Sequence, residues 1–323
     1  VYSGIGDHGD DMGGKGRTFI YCWDPSSKTL RQIVDPNKVA GVQSGDPSFT
    51  KVHARILEGK DGKIYFTCTH NDGGRAGGVK WTSRIPGGLI FQYDPQTEKT
   101  SIIGNLDGAL TATTLLDRER NILYCCLEGK AKPTTGAGLA AYDLTKPDFI
   151  YVSPFDAIVA DRNIALDKNG AVYFNGKEDK LWKYDPQSKQ IASTGEGFPK
   201  QKEGDKEIQP TMRSSTIESK DGWIYGTTMG PGRLFRYRPD QNKIELLGPD
   251  FLLGDYTTVT VLSPDERYVY YLPGSHGGAF KIGTPVVQYE IATGKRKVLA
   301  FLQPVIEKTC GYVPAGTYGV KMS

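Results

Sequence analysis

The sequence predicts an all-β repeat fold, and three observations carry that expectation. Apolar residues come in runs of four to six bounded by Asp-Gly, Gly-Gly and Asp-Pro, as strands joined by tight turns require. An aromatic followed by a polar or turn residue recurs at Trp23-Asp24-Pro25, Tyr93-Asp94-Pro95, Tyr142-Asp143, Tyr184-Asp185-Pro186, Tyr237-Arg238-Pro239 and Tyr289-Glu290. A second marker interlocks with it at Asp61-Gly62, Asp117-Arg118, Asn169-Gly170, Asp221-Gly222 and Pro264-Asp265. The order strand, Asp-Gly type turn, strand, Gly-rich loop, strand, Asp-Pro type turn, strand repeats along the chain. One such four-stranded meander cannot bury both faces alone, so copies must stack beside it, which is the logic of a β-propeller.

Each element follows from that pattern. The chain opens on strands expected at Val1–Ile5, Thr18–Trp23 and Leu30–Val34. The next meander is expected at Val52–Leu57, Ile64–Cys68, Leu89–Tyr93 and Thr100–Ile103. The aromatic markers are 42 residues apart at the closest (Tyr142 to Tyr184) and 70 at the widest (Trp23 to Tyr93), as repeats with loop insertions would be. Tyr65, Tyr124, Tyr173, Tyr225 and Tyr270 sit at the same step of successive repeats and are expected in the core. Residues 316–322 could supply the innermost strand of the first meander, giving six blade-equivalents with one shared between the termini. Seven would follow if the chain were an excerpt of a larger ring. A single propeller domain over residues 1–323 is the expectation, with no helix longer than about two turns.

Composition agrees. Apolar content is 38%, with 40 Gly and 18 Tyr among 323 residues, which suits many short strands and many turns. A net charge of +3 is too small to imply nucleic acid as a partner, and no apolar run is long enough to span a membrane. The five cysteines form no Cys-x-x-Cys, and Cys22, Cys68, Cys125 and Cys126 fall in strand patterns as small buried side chains. The Gly-rich stretches Gly4-Ile5-Gly6, Gly13-Gly14-Lys15-Gly16 and Gly73-Gly74 lack the strand–loop–helix setting of a phosphate cradle. Gly-x-Ser-x-Gly, His-Glu-x-x-His and EF-hand patterns do not occur.

Function in such a repeat is expected on the loops at one end, where the chain enters each innermost strand and crosses from second to third strand. All four histidines map there: His8, His53, His70 and His276. Arg55, Arg162, Asn163, Arg213 and Tyr256 are placed at the starts of innermost strands, and Asp7, Asp10 and Arg75 in the loops. A rim of histidine and arginine suits β-elimination from a uronate glycan. A cation neutralises the carboxylate and acidifies the C5 proton, one side chain removes that proton, and another protonates the leaving oxygen. His53 and His70 are the candidate base and acid, with Arg162 or Arg213 as the carboxylate clamp. Arg55, Arg75, Asn163, Tyr256 and His276 are the candidate substrate contacts.

With its blade pattern and paired His53 and His70, the chain resembles the propeller-type polysaccharide lyases such as ulvan lyases, and more loosely the streptogramin lyases. The resemblance implies an acidic polysaccharide or other glycan as partner and an extracytoplasmic or secreted location. Two alternatives stay open. One is a metal-dependent lactonase or lyase in which Asp7, His8, Asp10 and His276 help to hold a divalent ion, since imidazole and carboxylate are suitable ligands. The other is a non-enzymatic propeller that presents its rim to a protein or glycan.

Overall fold

The computed structural model describes residues 1–6, 16–52, 54–69, 84–105, 110–128, 137–154, 156–249, 257–274 and 282–311. The fold is all-β and of the β-propeller class, built from repeated antiparallel sheets. The chain divides into two compact units, Val1–Asp161 and Arg162–Ser323.

The described residues of the first unit form three sheets. β1 (Tyr2–Gly6), β2 (Thr18–Asp24) and β3 (Thr29–Val34) form a three-stranded sheet. A one-turn helix, α1 (Pro36–Val39), follows, and the Asp35 carboxylate caps it by accepting from the Asn37 and Lys38 N–H groups. β4 (Leu57–Glu58), β5 (Ile64–Thr67), β6 (Leu89–Asp94) and β7 (Lys99–Asn105) form the next sheet, and β8 (Leu110–Asp117), β9 (Ile122–Glu128), β10 (Ala137–Asp143) and β11 (Asp148–Val152) the third. Phe49, Phe66 and Phe91 pack together with Ile20, Ile64 and Tyr93 in one core, while Tyr65, Ile90, Cys125 and Tyr142 share another.

The second unit repeats the design. Its sheets are β12 (Ala160–Leu166), β13 (Val172–Asn175), β14 (Leu181–Asp185) and β15 (Gln190–Ser193), then β18 (Thr211–Ser215), β19 (Ile224–Met229), β20 (Arg233–Arg238) and β21 (Lys243–Pro249), then β22 (Thr260–Leu262), β23 (Tyr268–Tyr271), β24 (Pro285–Glu290) and β25 (Arg296–Phe301). An extra hairpin, β16 (Gln201–Glu203) with β17 (Lys206–Ile208), interrupts the repeat order between the first two of these sheets. Tyr173, Leu181, Phe198, Met212, Ile224 and Phe235 fill the seam between those sheets.

The turn markers work chemically as clamps. Asp61, Asp167 and Asp221 each accept a hydrogen bond from a tyrosine hydroxyl on the following strand, Tyr65 at 2.9 Å, Tyr173 at 3.0 Å and Tyr225 at 2.6 Å. The same carboxylates accept backbone N–H groups within their own turns, from Lys63, Asn169 and Trp223. A buried phenol thus finds its partner in the turn that the repeat brings to it. The Asp-Pro hairpins are built alike: Asp24, Asp94 and Asp185 accept the N–H two residues on, and a left-handed residue closes each turn, Lys28 (φ 55°), Glu98 (φ 54°) and Lys189 (φ 55°). Turns of neighbouring sheets are strapped as well. Lys60 pairs with Glu119 at 3.6 Å, Lys168 with Glu218 at 3.3 Å and Lys220 with Glu266 at 3.8 Å.

Three elements depart from the sequence expectation. The innermost strand expected at Val52–Leu57 is reduced to a bridge of Lys51 with Thr69 and the two-residue β4, because the chain carries two more residues between these contacts than its partner does. Tyr270 is half-buried and accepts from Gln288 at 2.9 Å, while Tyr271 beside it is fully buried. The last described strand runs into a helix of nine residues, α2 (Leu302–Cys310), about two and a half turns long. Pro304 lies in its first turn, where a missing N–H is not needed, and Gly311 (φ 68°) ends it in the left-handed conformation. The innermost strand expected at residues 316–322 lies outside the described residues.

Candidate functional site

In each antiparallel sheet the tight turns leave at one end, and the entry to the innermost strand and the second-to-third-strand loop leave at the other. Two of the innermost strands, β8 and β18, carry the same irregularity near that loop end. In β8 the register against β9 slips between Thr111 and Thr113, and in β18 it slips against β19 between Met212 and Ser214. The residue left over is Ala112 in one case and Arg213 in the other. A bulge of this kind re-aims the extra side chain.

Arg213 is 8% exposed, and its Nη1 donates to the backbone carbonyl of Arg162 on β12 at 3.4 Å. The two arginines expected as carboxylate clamps are therefore neighbours on adjacent innermost strands. Asn163, the next residue of β12, is buried and donates from Nδ2 to Ser215 Oγ at 2.8 Å. It acts as a brace between β12 and β18. Asn175 at the end of β13 is a second brace: its amide accepts from the Met212 N–H at 2.7 Å and donates to the Met212 carbonyl at 3.0 Å.

Behind the arginines lies a hydroxyl chain that the sequence reading missed. Ser214 Oγ is 2.6 Å from Thr227 Oγ1 and 2.5 Å from Thr260 Oγ1, and Thr227 donates to the Thr257 carbonyl at 3.1 Å. Serine and threonine occupy positions on β18, β19 and β22 where a larger apolar side chain would be expected in a buried strand. The signal was present as Thr-Met-Arg-Ser-Ser-Thr at 211–216, a run too polar for a core strand. Each of these buried hydroxyls has a hydroxyl or carbonyl partner, so the polar positions next to Arg213 in the strand are satisfied among themselves.

The other expected residues divide plainly. Arg55 is half-buried on the stretch before β4, and its carbonyl accepts from Thr114 Oγ1 at 3.0 Å. Asp7, His8, Asp10, His53, His70, Arg75, Tyr256 and His276 lie outside the described residues. Among the described residues no group of three or more His, Cys, Asp or Glu could hold a metal ion, and no helix is long and apolar enough to cross a membrane. Arg84, another loop-end arginine, is tied to Asp46 by an ion pair and to the Gly41 carbonyl at 3.1 Å, which gives it a structural role. Cys68, Cys125 and Cys126 are buried, and burial pushes the Cys125 thiol up to about 12 and the Cys68 thiol higher still, so neither is a thiolate nucleophile near neutrality.

No family model matches the chain, and no curated protein matches it. Similar solved structures include a hypothetical selenium-binding protein from Sulfolobus tokodaii, with a TM-score of 0.59 at 16% identity over 87% of this chain and 71% of that one. A protein from Lactobacillus plantarum is similar with a TM-score of 0.54 at 12% identity over 88% of this chain and 77% of that one. The extracellular domain of a hybrid two component system from B. thetaiotaomicron is similar with a TM-score of 0.48 at 18% identity over 76% of this chain, which spans only 27% of that protein. At such identities the likeness shows the fold alone, and that fold is the β-propeller.

Proposed function

We propose that this chain is a carbohydrate-active propeller that binds the carboxylates of a uronate-containing glycan through Arg162 and Arg213. The observation that carries the reading is the Arg213 bulge, which brings a nearly buried guanidinium against the backbone of a second arginine at the loop end of an innermost strand. The Arg213 guanidinium is held against the Arg162 carbonyl, Arg162 adds a second cationic residue on the adjacent strand, and arginine matches a planar carboxylate with two parallel hydrogen bonds. Ala112 at the bulge of β8 offers no such group, so the cations are an addition to the repeat and not one of its requirements.

Elimination is the reaction that such a carboxylate site serves, because pairing with a cation lowers the pKa of the adjacent C5 proton. His53 and His70 remain the acid–base candidates, outside the described residues, and the reading rests on the arginines. The test is calorimetric titration of the chain with oligouronates and with neutral oligosaccharides of equal length, alongside ultraviolet detection of the unsaturated uronate product. Binding of the oligouronate that Arg213→Met weakens supports the site; product formation abolished by His53→Ala supports the lyase. Equal binding of charged and neutral sugars would overturn both.

A further inference from the structure

The seam between the β12–β15 and β18–β21 sheets opens at its turn end into a cavity of about 300 Å³. Tyr173 lines it, its ring edge-on to Tyr237 at 5.1 Å between centroids, and Asp167, Lys183, Asp185 and Asp240 face the same space. The three carboxylates differ in what they have left to offer. Asp167 is used on both sides: Oδ1 accepts from the Asn169 and Ala171 N–H groups and Oδ2 from the Tyr173 hydroxyl. Asp185 accepts from Gln187 and Ser188 through Oδ1 alone, and Asp240 accepts from Arg238 Nε through Oδ1 alone. Each keeps a second oxygen with no partner among the described residues.

Lys183 is the independent observation. The register places it opposite Tyr173 on one side and Ala192 on the other, so the strand itself holds it half-buried over the cavity. Its ammonium makes no ion pair and no hydrogen bond among the described residues, although three carboxylates share the space with it. Opposite charges kept apart across a small polar cavity are complementary to a ligand that carries both signs. Lys183 is a cation without an ion pair among the described residues, Asp185 an anion without one, and Asp240 an anion that keeps one open oxygen beside its 3.2 Å ion pair with Arg238. A cavity of this size, at the small end for ligand sites, holds a small molecule.

We propose that this cavity binds a free basic α-amino acid, its α-carboxylate on Lys183 and its two cationic groups on Asp185 and Asp240. Each contact is charge-assisted; the Gln187 and Ser188 N–H groups hold the Asp185 carboxylate before the ligand arrives, and the Arg238 guanidinium holds that of Asp240. This site stands apart from the arginines of the innermost strands and does not depend on a glycan substrate.

The test is an NMR titration of the full chain with three probes: L-lysine, cadaverine, which lacks the carboxylate, and Nα-acetyl-L-lysine, which lacks the α-ammonium. L-lysine should bind about tenfold or more tighter than either analogue, with shifts centred on Tyr173 and Lys183. Lys183→Met should bring L-lysine down to the affinity of cadaverine and leave cadaverine unchanged, while Asp185→Asn, which keeps the turn acceptor, should weaken both. If a peptide ending in lysine, blocked at its N-terminus, bound as tightly as the free amino acid, the α-ammonium would be irrelevant and the free amino acid the wrong ligand. Saturation by none of the probes, or L-lysine binding unchanged in Lys183→Met, would overturn the proposal.

Discussion

The two ends of the sheets in the second unit follow opposite rules. At the turn end of β18 and β19, Asp221 accepts from the Ser219 hydroxyl, the Trp223 N–H and the Tyr225 hydroxyl, and Lys220 straps the turn to Glu266. At the loop end of the same strands, the bulge holds Arg213 beside Arg162, above hydroxyls that bond to one another. The turn end repeats from sheet to sheet because each repeat needs it to close. The loop end varies from arginine to alanine because nothing in the repeat requires either. Stability is therefore concentrated at one end, and the freedom to carry function at the other.

That contrast can be broken at its strongest point first. Asp221→Ala removes the partner of three groups at once, all of them on buried residues, and should cost about 2–3 kcal/mol in urea unfolding. A loss below about 1 kcal/mol would mean that the clamp does not hold the turn. Arg213→Met should do the reverse: oligouronate affinity falls about tenfold or more while unfolding free energy changes by less than about 1 kcal/mol, because an apolar side chain of similar length can fill a buried arginine's place. A large loss of stability with unchanged binding would make Arg213 a structural residue and remove the functional contrast.

Alkaline pH probes the clamp from another side. Burial, and then the neighbouring Asp61, hold the Tyr65 phenol up at about 12, above its ordinary value of 10.0. The folded state therefore keeps a proton that the unfolded state gives up. The clamp's contribution is complete below about pH 10 and is lost as pH rises toward 12. Tyr65→Phe should flatten this part of the stability curve in alkaline urea titrations; an unchanged slope would show that Tyr65 does not report the transition. The smallest effect belongs to Lys220→Met. Its side chain is 75% exposed, so losing the pair with Glu266 should shift unfolding by no more than about 0.5 kcal/mol, and less in high salt. A loss comparable to that of Asp221→Ala would mean that the straps, and not the clamps, carry the turn end.

Much of this was legible from residues alone. The Asp-Pro and Asp-Gly markers predicted the turns because their chemistry is local: an aspartate accepts an N–H two residues away, whatever lies across the molecule. The strands β2, β3, β6 and β7 fell within about a residue or two of their expected bounds for the same reason. Tyr65, Tyr173 and Tyr225 were placed in the core by their period, but their hydroxyl partners were not, since pairing depends on how the phenol leaves the strand. The helix α2 was missed although Pro304 and Gly311 stand where a helix begins and ends.

Sequence by itself determined the fold class, the turn chemistry and the repeat order, because each follows from interactions between residues close in the chain. It named Arg162 and Arg213 but did not bring them together. Only the tertiary structure decided that Arg213 falls on a bulge, that its guanidinium reaches the carbonyl of a residue 51 positions away, and that Lys183, without an ion pair among the described residues, stands over a cavity shared with carboxylates from three turns. A single extra residue in one strand changes which way a side chain points, and hydrophobic alternation carries no mark of that slip.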